Sequence, residues 1–178
     1  MTYQYILDLI DGGLINKGKA LDLGCGPGNA AMILAGLGFN VEAVDKKDQV
    51  GIEWDGRINF VNKDIRDFEI TKNTYDFINA RNVLHFLNKE DIRMMMKKMF
   101  TGLKKGGVMY FNVSGDKDGW KEKSKSMVTF LTEKELGEYV ENELEIPVYN
   151  KVTRLGYGTT TSGILKYTHT IAYTVVKK

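Results

Sequence analysis

Cysteine is nearly missing from this sequence: Cys25 is the only one among 178 residues, so no internal disulfide can form. The chain also opens without a basic segment followed by an apolar one, and together the two absences predict a reducing, cytoplasmic setting. No apolar run approaches the ~18 residues that a membrane span needs, because charge or glycine interrupts the longest candidates. A soluble protein with no membrane partner is expected. Charge of one sign is not in excess either: the net charge is +2 with 27% charged residues, so no global field singles out nucleic acid or an anionic surface. Internal repeats and low-complexity tracts are absent. The one compositional break, the charged run 116–125, reads as a solvated loop. What is present suffices for one buried core, since 43% of the residues are hydrophobic and the length is that of a single domain.

The apolar run Ala20-Leu21-Asp22-Leu23 stops at Gly24-Cys25-Gly26-Pro27-Gly28 and gives way to Asn29-Ala30-Ala31-Met32-Ile33-Leu34-Ala35, which predicts strand, glycine turn and helix. Further strands are predicted at 40–45, 58–61, 75–80 and 107–113. Ile92, Met95, Met96, Met99 and Leu103 recur at spacings of three and four. They predict a helix over about 89–104 with its methionines packed in the core, Asn88 as N-cap and Gly106 beyond the end. A later helix opens on the capping box Thr132-Glu133-Lys134-Glu135, with Leu131 and Leu136 as a hydrophobic staple and Leu136, Tyr139 and Val140 as its apolar face. The alternation of strand and helix gives an α/β fold with a parallel sheet. In the tail, 144–151 and 169–176 read as two strands with no helix between them, hence antiparallel, joined by a loop that includes the glycine and threonine rich stretch 156–163.

The chemistry concentrates at the first turn. Glycines at the end of a first strand let backbone pass close beneath a ligand, and the following helix offers unpaired amides. A dinucleotide fingerprint wants glycine at its first, third and sixth positions, whereas here Gly24 and Gly26 are followed by Asn29, which disfavours a nicotinamide cofactor. Asp22, inside the strand, would repel a pyrophosphate but suits an ammonium group. Asp45 closes the second strand, where a carboxylate can accept both ribose hydroxyls, and Asp64 closes the third, where it suits an adenine amino group with Ile65 against the base. A turn or cap role is the alternative for Asp64. The ligand this suggests is an amino acid joined to a nucleoside.

The segment Leu21-Asp22-Leu23-Gly24-Cys25-Gly26-Pro27-Gly28 resembles motif I of the class I S-adenosylmethionine-dependent methyltransferases. Asp45, Asp64, the stretch 75–85 and Leu103-Lys104-Lys105-Gly106-Gly107 are similar to the family's later motifs, in order. The compact size, the segment 130–136 and the ending 171–178 further resemble the tellurite-resistance methyltransferases. This resemblance implies a Rossmann-like, seven-stranded, mostly parallel sheet with helices on both faces and an antiparallel C-terminal strand. It divides one methyltransferase domain into an N-terminal helix and lead-in (1–18), a cofactor-binding half (19–113) and an acceptor-side half (114–178). It also implies S-adenosylmethionine as cofactor, S-adenosylhomocysteine as product and a small-molecule acceptor such as a thiol or chalcogen oxyanion. The implied cofactor residues are Asp22, Gly24, Cys25, Gly26, Asn29, Asp45, Lys46, Asp64, Ile65, Ala80, Arg81 and Asn82, and no metal site is implied. One departure is that only about a dozen residues separate Asp45 from Ile58, so the usual helix after the second strand must be short or replaced by a loop around Trp54.

Methyl transfer is an in-line displacement, so positioning and exclusion of water supply most of the catalysis and a base is optional. Arg81 either holds an anionic acceptor or pairs with a local carboxylate. His85 is either a base or a packed wall residue. Cys25 reads as small filler in the turn rather than a nucleophile. Trp120 either forms part of a lid or anchors its loop. Lys117, Lys121, Lys123 and Lys125 motivate a rival reading as a nucleic-acid methyltransferase, against which stand Asn79-Ala80-Arg81-Asn82, which lacks the two prolines and aromatic of base-amino methylation, and the small net charge. A second rival is a module that senses the cofactor without chemistry.

Overall fold

A computed structural model describes residues 3–121, 129–159 and 165–178. Among them are seven strands, β1 (Lys19–Leu23), β2 (Asn40–Asp45), β3 (Ile58–Asn62), β4 (Tyr75–Ala80), β5 (Leu103–Ser114), β6 (Val148–Thr159) and β7 (Leu165–Val176). The α-helices are α1 (Gln4–Asp11), α2 (Asn29–Gly36), α3 (Lys89–Gly102) and α4 (Glu133–Gly137). The strands form one sheet in the order β3-β2-β1-β4-β5-β7-β6. β1 pairs in parallel with β2 and β4, and β2 in parallel with β3. Sequential order reverses between β1 and β4, the topological switch point at which such sheets bind ligands outside their carboxyl ends. The sheet is the mixed, mostly parallel one expected.

The chain packs as two compact units, residues 1–80, 98–109 and 176–178 in the first, 81–97 and 110–175 in the second. In the first, β1 and β4 read as near-continuous apolar runs because they are buried on both faces: Leu21, Leu23, Phe77 and Ile78 are wholly inaccessible. Segment 46–57 contains no helix, so a loop replaces the usual crossover. Trp54 in that loop stacks on Phe60 of β3, rings nearly parallel at 5.1 Å. The start of β5 is tied to the end of β7 by Gly106 N–H to Lys177 O (2.7 Å) and Lys177 N–H to Gly107 O (2.9 Å).

In the second unit, Asn88 caps α3 by accepting the Asp91 N–H at 2.8 Å. Ile92, Met95 and Met96, like Met99 further along the helix, are fully buried, which makes the methionine stripe core. Thr132 and Glu135 form both arms of the capping box of α4, and Leu131, Leu136, Tyr139 and Val140 are buried. That helix continues as a π-helical turn over Glu138–Glu143. β6 and β7 are antiparallel, but longer than the tail pattern predicts. β6 runs on through Gly156 to Thr159, opposite Thr168 to Leu165. Gly156 and Gly158 read as loop residues in sequence, yet the ladder runs on past them, with Gly156 opposite Thr168, Tyr157 opposite Tyr167 and Gly158 opposite Lys166. The strand also begins late, since Leu144 caps the π turn and Glu145 adopts a left-handed φ of 50°. Residues 160–163 of the expected loop, like Lys123 and Lys125, lie outside the described residues. The charged run departs from expectation at Asp118, which is buried and accepts the Trp120 N–H (2.9 Å) and the His169 N–H (3.1 Å).

Candidate active site

The glycine turn forms as its sequence requires. Gly24, Gly26 and Gly28 have φ of 66°, 51° and 80°, the left-handed region that favours glycine. Gly24 and Cys25 donate to Val44 O at 2.8 and 3.0 Å, which docks the turn on the end of β2. Asp45 then holds it from the side: one carboxylate oxygen accepts the Gly26 N–H and the other the Lys47 N–H, each at 2.9 Å. A Cβ built on Gly26 meets nothing within 4 Å, so open space lies over the turn. On Gly28 it would stand 2.5 Å from the Trp54 ring, so the tryptophan of the shortened crossover covers the start of α2. Asn29 is exposed at that start, and Lys46 is exposed beside Asp45.

Asp22 is 2% exposed in β1 and accepts a 2.7 Å hydrogen bond from the Asn79 side chain on β4, its partner in register. Asn79 in turn accepts the Tyr5 hydroxyl of α1 at 2.7 Å. Neither Asn79 nor Tyr5 stands out in the sequence as a site residue. Asp22 and Asn79 stand opposite each other in the parallel register of β1 and β4, a pairing that shows only once the two strands are known to be neighbours. Asp64 follows β3 and is gripped by Arg66 through both guanidinium contacts, 2.9 and 2.8 Å, and through its backbone N–H at 3.0 Å. The guanidinium hydrogen bonds hold its pKa down at about 2, with Lys46 adding to the shift. Ile65 is buried next to it, and Ala80 ends β4 fully buried. Burial pushes the Cys25 thiol up, and Asp22 and Asp45 push it further, so it stays protonated and inert.

The chain passes from Ala80 into the second unit at Arg81. Asn82 takes a left-handed φ of 56°, held there by Asn112: the Asn82 N–H donates to the Asn112 carbonyl at 2.6 Å and the Asn112 amide returns a bond at 2.7 Å. Strain of this kind in a non-glycine residue persists only when its surroundings fix it. Asn112 escaped the sequence reading because it lies within an apolar strand. Arg81 and Arg154 both act on the Tyr110 phenol, favouring its ionised form, but burial prevails and raises its pKa. His85 sits in a short 3₁₀ turn (Leu84–Phe86), 7% exposed, with its Nδ1 lacking a hydrogen-bond partner. Burial pushes its pKa down to about 4 against an opposing pull from Asp118, so the imidazole is neutral at physiological pH. His169 is buried in β7 and accepts the Lys117 N–H at 3.2 Å, a structural role. Trp120 is partly exposed, its backbone fixed by Asp118.

The sequence model of the family described as tellurite resistance protein TehB matches residues 5–163. The chain belongs to the TehB family. No curated protein sequence matches it. Among solved structures it is similar to TehB from Haemophilus influenzae, with a TM-score of 0.75 at 24% identity over 96% of this chain. The chain spans 62% of that protein's length. It is also similar to a putative methyltransferase from Bacillus halodurans, with a TM-score of 0.78 at 13% identity over 97% of this chain and 98% of the other. A third likeness is to 1,6-didemethyltoxoflavin-N1-methyltransferase from Burkholderia thailandensis, solved with S-adenosylhomocysteine, at a TM-score of 0.70, 16% identity, and 97% and 76% coverage. Family and fold are therefore those of the class I S-adenosylmethionine-dependent methyltransferases, and the cofactor of that class is S-adenosylmethionine. Among the described residues no helix is long and apolar enough to cross a membrane, and no cluster of three metal-ligating side chains occurs.

Proposed function

We propose that this TehB-family protein transfers the methyl group of S-adenosylmethionine to a small, soft, anionic acceptor, either a thiolate or a chalcogen oxyanion. The observation that carries the cofactor half is the turn at the switch point: left-handed Gly24, Gly26 and Gly28, open space over Gly26, and the carboxylates of Asp22 and Asp45 beside them. Such acceptors suit an ammonium and hydroxyl groups and would repel a pyrophosphate. When bound, the cofactor supplies an electrophilic methyl on a cationic sulfur.

The residues divide the work. Gly24, Cys25, Gly26 and Asn29 offer backbone beneath the amino-acid part, and Asp22 takes its ammonium. Asp45, already oriented by the Gly26 and Lys47 amides, accepts the ribose hydroxyls through its remaining lone pairs, with Lys46 beside it. Asp64 and Ile65 face the adenine. Ala80, Arg81 and Asn82 lie towards the reacting end, where Arg81 holds the acceptor's negative charge. His85, with its low basicity, is a poor proton acceptor for a hydroxyl and serves as a neutral wall. A nucleophile that is already anionic needs no base, which is why soft anions fit best. We read the chain as one methyltransferase domain acting in the cytoplasm, in keeping with its single, buried thiol.

Incubation with methyl-labelled cofactor and a panel of thiols, selenite, tellurite, catechols and small RNA tests this. Label is expected in the thiol, selenite or tellurite samples. Label confined to catechol or RNA overturns the acceptor class, and no binding of the cofactor at all overturns the reading.

A further inference from the structure

Tyr5, Asn79 and Asp22 form a directional relay that joins the first helix to the cofactor turn. Its polarity is forced by donor chemistry. An ionised carboxylate only accepts, so the Asn79 amide nitrogen must face Asp22, as it does at 2.7 Å. The Asn79 carbonyl oxygen is then left facing α1, where only a donor can satisfy it, and the Tyr5 hydroxyl supplies that donor at 2.7 Å. Asn79 and Asp22 are both 2% exposed, and Asp22 stands two residues before the left-handed Gly24. In a site of low dielectric each bond polarises the next, so the tilt of the carboxylate is set from the far end of the chain of bonds.

We infer that Tyr5 is a positioning residue for ligand selection: through Asn79 it orients Asp22 towards an α-ammonium group, so the site discriminates for ligands carrying a free amino acid. This inference rests on the methyltransferase reading, which places Asp22 at the amino-acid end of the cofactor. A relay serving only to pin α1 to the sheet would affect every ligand alike. One that aims Asp22 would affect only ligands that carry the ammonium.

The test is a cycle between protein and ligand on the full chain. Calorimetry compares wild type and Tyr5→Phe for S-adenosylhomocysteine and for its analogue lacking only the α-amino group, with melting temperatures recorded alongside. Tyr5→Phe is expected to weaken S-adenosylhomocysteine on the order of tenfold, the value of one hydrogen bond in a buried network, and to leave affinity for the deamino analogue unchanged. An equal loss for both ligands, or no loss for either, overturns the positioning role. Failure of the wild type to bind either ligand overturns the methyltransferase reading and the relay's purpose with it, and this result is seen before any variant is made.

Discussion

At the scale of single residues, Asp45 holds the glycine turn, and the ribose role proposed for it is separable from that by experiment. The strand-end position suggests the proposed role in sequence, but the two hydrogen bonds from the Gly26 and Lys47 amides are not legible there, because they depend on how the turn folds back over β2. Asp45→Ala is therefore expected to lower the melting temperature of the free protein by a few degrees, from the loss of roughly 1 kcal/mol per backbone bond. It should also remove most of the stabilisation that S-adenosylmethionine confers on the wild type. A variant that melts as wild type with the ligand present would exclude Asp45 from the ribose. His85 makes a second prediction. Its folded pKa of about 4 lies below the ordinary 6.5, so the unfolded chain binds the extra proton first as the pH falls. Stability should then decline from pH 6.5 to about 4 and level off below, whereas Asp64 and Glu135, held down at about 2 chiefly by Arg66 and Lys89, lose their contributions only as the pH falls from about 4 towards 2. Denaturant unfolding of His85→Gln should flatten the upper window and leave the lower one. A decline between pH 6.5 and 4 that survives the substitution would assign it elsewhere.

At the scale of elements, β2 and β4 carry the boundaries their patterns predict, because a short apolar run bounded by polar residues has one way to sit in a buried parallel sheet. The glycine turn is equally legible, and so are the capping box of α4 and the core stripe of α3, since each rests on neighbours a few residues apart. What pattern could not show is pairing at a distance: the extension of β6 through two glycines, the burial of Asp118 under His169, and the Asn82 to Asn112 lock all depend on a partner from another strand. The turn itself separates strain from space. Gly26→Ala and Gly28→Ala both force alanine into a left-handed backbone, at about 1–2 kcal/mol each. Only Gly28→Ala also drives a methyl into the Trp54 ring, so it should melt lower than Gly26→Ala. Gly26→Ala, with its methyl in open space over the turn, should keep more of its stability and still lose the ligand. Equal melting of the two would show that Trp54 yields without cost.

At the scale of the whole molecule, the strand order reverses between β1 and β4, and those two strands bring Asp22, the glycine turn and Asn79 together. A sequence reader can infer alternating strands and helices, but not that β4 lies against β1, which is fixed by the long-range topology. The shortened crossover has an optical consequence. Trp54 is one of only two tryptophans, and its indole lies on Phe60 with its edge over the start of α2. In a Trp120→Phe background it is the single indole emitter, so excitation near the red edge of tryptophan absorbance reports on the turn alone. A ligand settling over Gly26 should change the colour or intensity of that emission in a saturable titration, which makes the protein its own sensor of occupancy without label or coupled assay.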